Sequence, residues 1–486
     1  MRRTSSLWFL LVGLALVLSS CSERIPSDPS DLELRLARNG GGPTVTATDP
    51  SRGEPGQTLD VRVIGSGYAP GSNVSFAIAG VATNKIVTNR TTFVSSTEVV
   101  ANITISQTAD LTAYDVIVIL SDGKKGIGTE KFLVSYSVLD LGVQSGLSGT
   151  QAADVNSSGI VVGRAGNGVS PNPTHAMRWT VTGPTSFVAE DLHPLVQPAL
   201  LSWANAVNSS GTIVGDRQLD SSQKSARPFL LSSSGVVTFL HTLCGPTETS
   251  KQAYTMDIND RGDVVGYEAI PAIALYWAPG AICAAALPTL GGGSWPFAIS
   301  PSGNYIAGNS TDASGKEQPV LWTRRADNSG WDISILPTTS TTTYGHAMAV
   351  DDAGTVTGYE SWSTLVREKG SSFYRGSSSS LLWPLGGAAQ KLANLGGNQS
   401  WAYGISGGRI AGASNAGIDQ PSHATVREGD GRLVDLGTLV VGGHTFATAV
   451  RGGFIAGYGD VNTPGRGIEG HALVWMQTVI VFTTSK

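Results

Sequence analysis

Residues Ala153-Asp154-Val155-Asn156-Ser157-Ser158-Gly159-Ile160-Val161-Val162-Gly163 read as strand, tight turn, strand, and variants of this stretch return six times. The later copies run Ala206 to Gly215, Asp257 to Gly266, Ala298 to Gly308, Ala349 to Gly358, Gly404 to Gly412 and Ala449 to Gly457. Their closing glycines are spaced by 52, 51, 42, 50, 54 and 45 residues. A repeat near fifty residues constrains the fold more than any other feature, because each unit must bury its apolar face against a neighbour.

The hairpin reading is local chemistry. An apolar residue precedes each turn: Val155, Val207, Ile258, Ile299, Val350, Ile405 and Val450. Asn or Asp follows in four copies (Asn156, Asn208, Asn259, Asp351) and Ser in two (Ser300, Ser406), while the last copy has Arg451. Short polar side chains start turns by bonding their own backbone two residues on. Gly159, Gly211, Gly262, Gly303 and Gly354 then supply the positive φ of the turn. The last two copies shorten it to Gly407-Gly408 and Gly452-Gly453, a two-residue hairpin signal.

A third strand follows each hairpin, often tagged as in His175-Ala176-Met177-Arg178-Trp179, Ala274-Leu275-Tyr276-Trp277, Pro319-Val320-Leu321-Trp322 and His471-Ala472-Leu473-Val474-Trp475. Fourth strands are expected at Leu287 to Gly291, Ala393 to Gly396 and Val434-Asp435-Leu436-Gly437. Four short strands per fifty residues match a propeller blade, so residues 137–486 are expected to form a seven-bladed β-propeller. Either Leu139-Asp140-Leu141-Gly142 or Thr478 to Phe482 supplies the strand that closes the ring.

Ahead of the repeats, Leu59, Val61 and Val63, then Val74, Phe76 and Ile78, then Val116, Val118 and Leu120 alternate with other residues. Period-two alternation broken by Gly, Pro and Asn predicts a β-sandwich over residues 43–135. Residues 22–42, mostly polar with Pro26, Pro29 and Gly40-Gly41-Gly42, read as a flexible tether. Residues 1–21 read as a secretion signal, with Arg2 and Arg3 before an apolar run from Leu7 to Leu18 that is too short to span a bilayer. Leu18-Ser19-Ser20-Cys21 resembles a bacterial lipobox, which implies lipidation at Cys21; the alternative is an ordinary signal peptide with a chance Cys. Ser22 after that Cys implies, by resemblance to Gram-negative lipoproteins, passage to the outer membrane and a membrane partner through the lipid.

Gly65-Ser66-Gly67-Tyr68-Ala69-Pro70-Gly71, Tyr114-Asp115-Val116, Asp122-Gly123 and Phe132-Leu133-Val134 resemble the IPT/TIG immunoglobulin-like domains. The Asn-x-x-Gly hairpins, His-Ala-x-x-Trp strands and Leu-Gly-Gly ends over residues 138–477 resemble the extracellular HAF repeat family. The fold class expected is therefore all-β, an immunoglobulin-like β-sandwich followed by the propeller. These resemblances imply a spacer or binding domain and an exported repeat array, and they bring no catalytic residues.

The net charge of −5, without a basic cluster, argues against a nucleic-acid partner. Cys244 and Cys283 fall in neighbouring repeats and are either a disulfide or two buried thiols. No nucleophile elbow, phosphate loop or zinc spacing is present, so no cofactor or metal is expected. Four residues before each pre-turn apolar residue stand Gln151, Trp203, Tyr254, Trp295, His346, Trp401 and Phe446. These start the innermost strands and are expected to ring one mouth of the channel, with the long loop Glu360 to Ser380 and its Trp362 beside them. Such a ring stacks on sugars or grips a peptide; the alternative is packing between blades. His175, His423 and His471 belong to the tag and are expected to make structural hydrogen bonds. The leading functional expectation is a non-enzymatic binding or scaffold protein for glycan or protein. The alternatives are a glycan hydrolase or lyase, signalled by close carboxylates or a His–Glu pair at the mouth, and a spacer with no ligand.

Overall fold

A computed structural model describes residues 42–476 except 107–108, 145, 167–173, 221–225, 244–251, 341–343 and 369–370. The chain is all-β; among the described residues the one helical element is a 3-10 turn at His193–Val196. The signal segment, Cys21, most of the tether and Thr478 to Phe482 lie outside the described residues.

Residues 44–134 form two antiparallel-rich sheets. One runs Thr44–Asp49, Thr58–Ser66, Glu98–Ile105, Ile86–Ser95, and the other Arg52–Gly53, Lys125–Val134, Ala113–Ile119, Asn73–Ile78, Val81–Ala82. Val61, Val63, Val74, Phe76, Val116 and Val118 all point into the core between them, as the alternation predicts. Asp115, almost fully buried, accepts from the N–H groups of Gly80 (2.8 Å) and Glu130 (3.0 Å) and so ties two turns to this core.

After the sandwich come seven consecutive sheets, counted among the described residues; six hold four antiparallel strands in sequence order, and the seventh holds three, with its fourth supplied from ahead of the array. Sheet 1 is Thr150–Val155, Ile160–Ala165, His175–Gly183 and Ser186–Asp191. The first strands of sheets 2 to 7 are Leu201–Val207, Ala253–Ile258, Gly291–Ile299, Tyr344–Val350, Ser400–Ser406 and Thr445–Arg451. The second strand of each sheet packs on the first strand of the next, and Thr150–Val155 packs on Phe454–Thr463 of sheet 7, so the array closes on itself. The closing strand is the N-terminal one: Ser137–Asp140 pairs antiparallel with Gly467–Met476 at the edge of sheet 7.

Three sequence expectations change. Leu287 to Gly291 and Ala393 to Gly396 lie beyond the fourth strands of sheets 3 and 5, which are Cys283–Ala286 and Gln390–Lys391. Leu395-Gly396 lies in a linker, Gly291 opens the first strand of sheet 4, and of the three expected stretches only Val434 to Gly437 falls within a fourth strand, Leu433–Gly437. Glu360 to Ser380 is not a loop but a hairpin, because Val356–Glu368 and Ser371–Trp383 stay in register from Val356↔Trp383 to Glu368↔Ser371. Sheet 3 also gains a fifth, parallel strand, His241–Leu243, beside Cys283–Ala286.

The closing glycines are fixed by a steric demand. Each first strand carries a bulge, for example between Thr255 and Asp257, that pushes its backbone toward the second strand. A Cβ on Gly266 would stand 2.0 Å from the Tyr254 carbonyl oxygen, and one on Gly358 would stand 1.9 Å from that of His346. The other five glycines face the same obstruction at 1.9 to 2.2 Å, so no side chain fits at any of the seven sites. Behind each glycine the third strand fills the core. Trp179, Trp277, Trp322, Trp383 and Trp475 are fully buried, and each contributes about 2–3 kcal/mol of apolar burial. Three of these rings donate Nε1–H to backbone carbonyls: Trp277 to His241 (2.7 Å), Trp322 to Pro288 (2.8 Å) and Trp383 to Pro337 (2.6 Å).

Gly266→Ala is expected to cost roughly 3 kcal/mol, since backbone must move to admit the methyl group. Gly470→Ala is the control: its Cβ would meet nothing within 4 Å. A urea titration followed by tryptophan fluorescence should move its midpoint down for the first variant and leave it in place for the second; equal midpoints would refute the steric account.

Candidate functional site

The ring of polar staples between sheets sets the geometry of both mouths of the channel. The Asn156 side chain accepts from Ser158 and Ile160 N–H, both at 3.0 Å, which makes its own turn. Its Nδ2 then donates to the Asn208 carbonyl in sheet 2 (3.0 Å). Asn208 does the same to Asn259 (3.1 Å), and Asn259 to Ser300 (3.2 Å). At the other end of the strands, Thr150, Ser202, Ser294, Ser400 and Thr445 accept from tag-strand N–H groups of the preceding sheet at 2.8 to 2.9 Å. The tag histidines complete this layer. His175 pairs with Asp191 (2.7 Å), His423 with Asp435 (2.8 Å) and His471 with Asp140 (2.8 Å), each through Nδ1. They are structural, and the last of them bonds the closing strand.

All seven residues expected to ring one mouth are half-buried at the start of the first strands. Each stands opposite the residue that follows a closing glycine. Gln151 accepts from Arg164 (2.6 Å). Tyr254 lies 5.3 Å from Tyr267, His346 stacks on Tyr359 at 4.7 Å, and Phe446 stacks on Tyr458 at 5.2 Å. All four of these pairings are cross-strand contacts within one sheet. Trp401 and Phe446, 6.4 Å apart, bridge sheets 6 and 7. Beside Asn309, whose Nδ2 reaches Glu317 (2.6 Å), His346 Nδ1 comes within 4.0 Å of the Glu317 carboxylate. Burial holds the His346 pKa below its usual value, although Glu317 opposes the shift.

Two solvent-open cavities follow. One, of about 260 Å³, lies between the long hairpin and sheet 6 and is lined by Tyr344, Ser361, Trp362, Ser363, Gly376, Ser377, Ser378, Gln399 and Trp401. It brings together two of the predicted ligand residues, Trp362 and Trp401; Trp203, Tyr254 and Trp295 are not part of it. Tyr344, 57% exposed, is an aromatic member that period counting overlooks, because it starts its strand two residues before His346.

The other cavity, of about 140 Å³, is the centre of the ring at the turn end. Ala153, Asn205, Met256, Phe297, Met348, Tyr403 and Thr448 line it, one from every sheet, and each is the extra residue of a bulge. The sequence gives no separate signal for them beyond the obligatory glycine opposite, since a bulge breaks the alternation that would assign their face. Asp154 and Asp257 share this wall. Each accepts from its own next N–H and from the neighbouring sheet, Val207 N–H at 2.9 Å and Ile299 N–H at 2.8 Å. Depth in the wall raises both pKa values, that of Asp257 to about 7, with Asp154 adding to the effect. Burial would lower the Arg451 pKa, but the carboxylates of Asp154, Asp257, Asp260 and Asp352 raise it overall. Arg451 thus departs from the turn pattern to place a cation at the acidic mouth.

Cys283 is disulfide-bonded, while Cys244, which follows the strand paired beside it, lies outside the described residues. Among the described residues no group of three or more His, Cys, Asp or Glu is placed to hold a metal ion. No helix there is long and apolar enough to cross a membrane.

No protein-family model and no curated protein matches the chain. Among solved structures it is similar to TolB from Acinetobacter baumannii, at 11% identity over 68% of this chain and 76% of that one, with a TM-score of 0.31.

The His423–Asp435 bond raises the His423 pKa in the folded chain, chiefly through the hydrogen bond and despite burial. A raised histidine pKa stabilises the fold below the unfolded value near 6.5, and that contribution is lost as pH rises through the folded value. Asp435→Asn keeps an oxygen for the Gly437 N–H, which it accepts at 2.7 Å, but removes the charge. The parent should therefore exceed this variant in stability by more at pH 5.5 than at pH 8.5 in denaturant titrations. A gap of the same size at both pH values would mean that the bond is not charge-assisted.

Proposed function

We propose that this chain is an exported, lipid-anchored envelope protein in which an immunoglobulin-like β-sandwich carries a seven-bladed β-propeller, and that the propeller binds glycan without catalysis. The cyclic order of seven four-stranded sheets supports the propeller reading, and the two packed sheets of residues 44–134 support the immunoglobulin-like one. The disulfide at Cys283 supports an oxidising compartment. The lipobox-like Leu18-Ser19-Ser20-Cys21 supports the anchor.

The observation that carries the binding reading is the cavity in which Trp362 and Trp401 meet, open to solvent and walled otherwise by serines, a glutamine and Tyr344. Flat apolar rings among hydroxyls and amides suit a sugar, whose ring has an apolar C–H face and a polar edge. His346 beside Glu317 favours the second reading, glycan cleavage, because a half-buried histidine held neutral next to a carboxylate is a candidate acid/base pair.

Two measurements check these readings. The parent chain should take up labelled fatty acid and sediment with membranes, and Cys21→Ala should do neither; an unlabelled parent would remove the anchor. A polymer-binding screen with glycan and cell-wall polysaccharides should find retention that Trp362→Ala loses while its melting curve stays unchanged. Retention of protein partners alone would move the site to peptide recognition. Release of reducing ends by the parent, lost in His346→Ala, would replace binding by catalysis.

A further inference from the structure

The cavity between the long hairpin and sheet 6 carries more than the class of ligand. We infer that its ligand is an uncharged glycan chain, held over several consecutive sugars rather than at a single terminal one; this rests on the glycan-binding reading above.

The first argument is charge. The cationic and anionic groups nearest the cavity are already paired with one another. Lys391 Nζ bonds Glu360 at 3.0 Å and lies 5.1 Å over the Trp362 ring, while Glu360 is also held by the Thr339 N–H (3.0 Å) and hydroxyl (2.5 Å). Arg375, next to the lining Gly376, bonds Asp419 at 2.9 Å. A uronate or phosphate entering here would lose its hydration and gain no free cation among these groups, which is costly for a charge. Neutral hydroxyls meet a better match. The side chains of Ser361, Ser363 and Ser377 line the cavity and make no hydrogen bond among the described residues. They are free to donate to and accept from sugar hydroxyls, directly or through water.

The second argument is extent. The aromatic surface does not end at the cavity. Trp401 leads to Phe446 (6.4 Å), and Phe446 is stacked with the exposed His444 at 6.3 Å and an interplanar angle of 6°. Trp362, Trp401, Phe446 and His444 therefore form a run from sheet 5 through sheet 6 to sheet 7. A single sugar covers one ring, so a run of this kind gains contact with each added unit of a chain.

The test is calorimetric titration of the full-length chain in detergent. The probes are neutral oligosaccharides of one to six units (glucose, xylose, mannose and N-acetylglucosamine series) and acidic galacturonate and mannuronate oligomers of equal length. Binding should be confined to a neutral series, strengthen stepwise with chain length, and change little between low and high salt, because no ion pair forms. Trp362→Ala and Phe446→Ala should each weaken the longest ligand by about tenfold or more. Phe446→Ala should leave the shortest binding ligand nearly unaffected, and Trp362→Phe should restore most of the loss. Tight binding of an acidic series, or affinity that collapses with salt, would overturn the uncharged ligand while leaving glycan binding in place. Equal affinity for one sugar and for six would overturn the extended site. Failure of every oligosaccharide would remove both this inference and the reading on which it rests.

Discussion

Seven times in this molecule a backbone carbonyl occupies the space where a side chain would begin. The bulge in each innermost strand brings that carbonyl within about 2 Å of the Cβ position across the strand pair, and glycine is the residue that leaves the space empty. Much else follows from this contact. The bulge turns one extra residue per sheet toward the axis, so the central cavity is lined by Ala153, Asn205, Met256, Phe297, Met348, Tyr403 and Thr448. It also keeps the aromatic residues at the strand starts on the opposite mouth, in register with the residue after each glycine. One backbone irregularity, repeated, separates an aromatic end from an acidic one.

Neighbouring sheets are then joined by polar groups that do not depend on apolar packing alone. The asparagine of one turn bonds the carbonyl of the next turn, and a serine or threonine hydroxyl receives the tag N–H from the sheet before. Such bonds have fixed direction, so each sheet orients its neighbour, whereas the wedge of apolar side chains between them has no such preference. Closure repeats the same device. Asp140, from the strand that follows the sandwich, bonds His471 as Asp435 bonds His423. Tyr136, four residues earlier, donates to Glu428 and accepts from Arg409 (2.7 Å), and Arg409 and Glu428 pair at 3.0 Å with little exposure. The strand that closes the ring is thus clamped to sheet 6 where it leaves the sandwich.

The sequence disclosed what repetition and turn chemistry encode. Val155-Asn156-x-x-Gly159 and its copies gave the hairpins, and the His-Ala-x-x-Trp tags gave the third strands, because both signals are local and recur. The positions of Trp362 and Trp401 were also legible, Trp401 from period counting and Trp362 from the long polar stretch Glu360 to Ser380. Their meeting in one cavity was not, since it depends on the hairpin continuing as paired strands from Val356 to Trp383, and the serine-rich stretch there lacks apolar alternation. The fourth strands were misplaced for a related reason. Leu287 and Leu290 look like strand residues but belong to the linker and pack into the core between sheets 3 and 4, while the short strand Cys283–Ala286 has no period to announce it. The acidic wall is a further case. Asp154 and Asp257 resemble ordinary turn-flanking residues in sequence, and the bulge residue immediately before each, Ala153 and Met256, cannot be read without coordinates.

The two mouths differ in what they ask of a ligand. At the turn end the carboxyl groups of Asp154 and Asp257 are spent on N–H groups of adjoining sheets, and Arg451 stands among four acidic side chains with no ion pair to them among the described residues. Their role in joining sheets 1 to 2 and 3 to 4 accounts for their position, so charge at this end is first a matter of ring construction. At the strand-start end the order is reversed. The charges lie at the edge in pairs with one another, and the surface left open is aromatic and hydroxylic. Residues that the architecture does not consume are the ones free to recognise something else, and in this fold they collect beside Trp362 and Trp401.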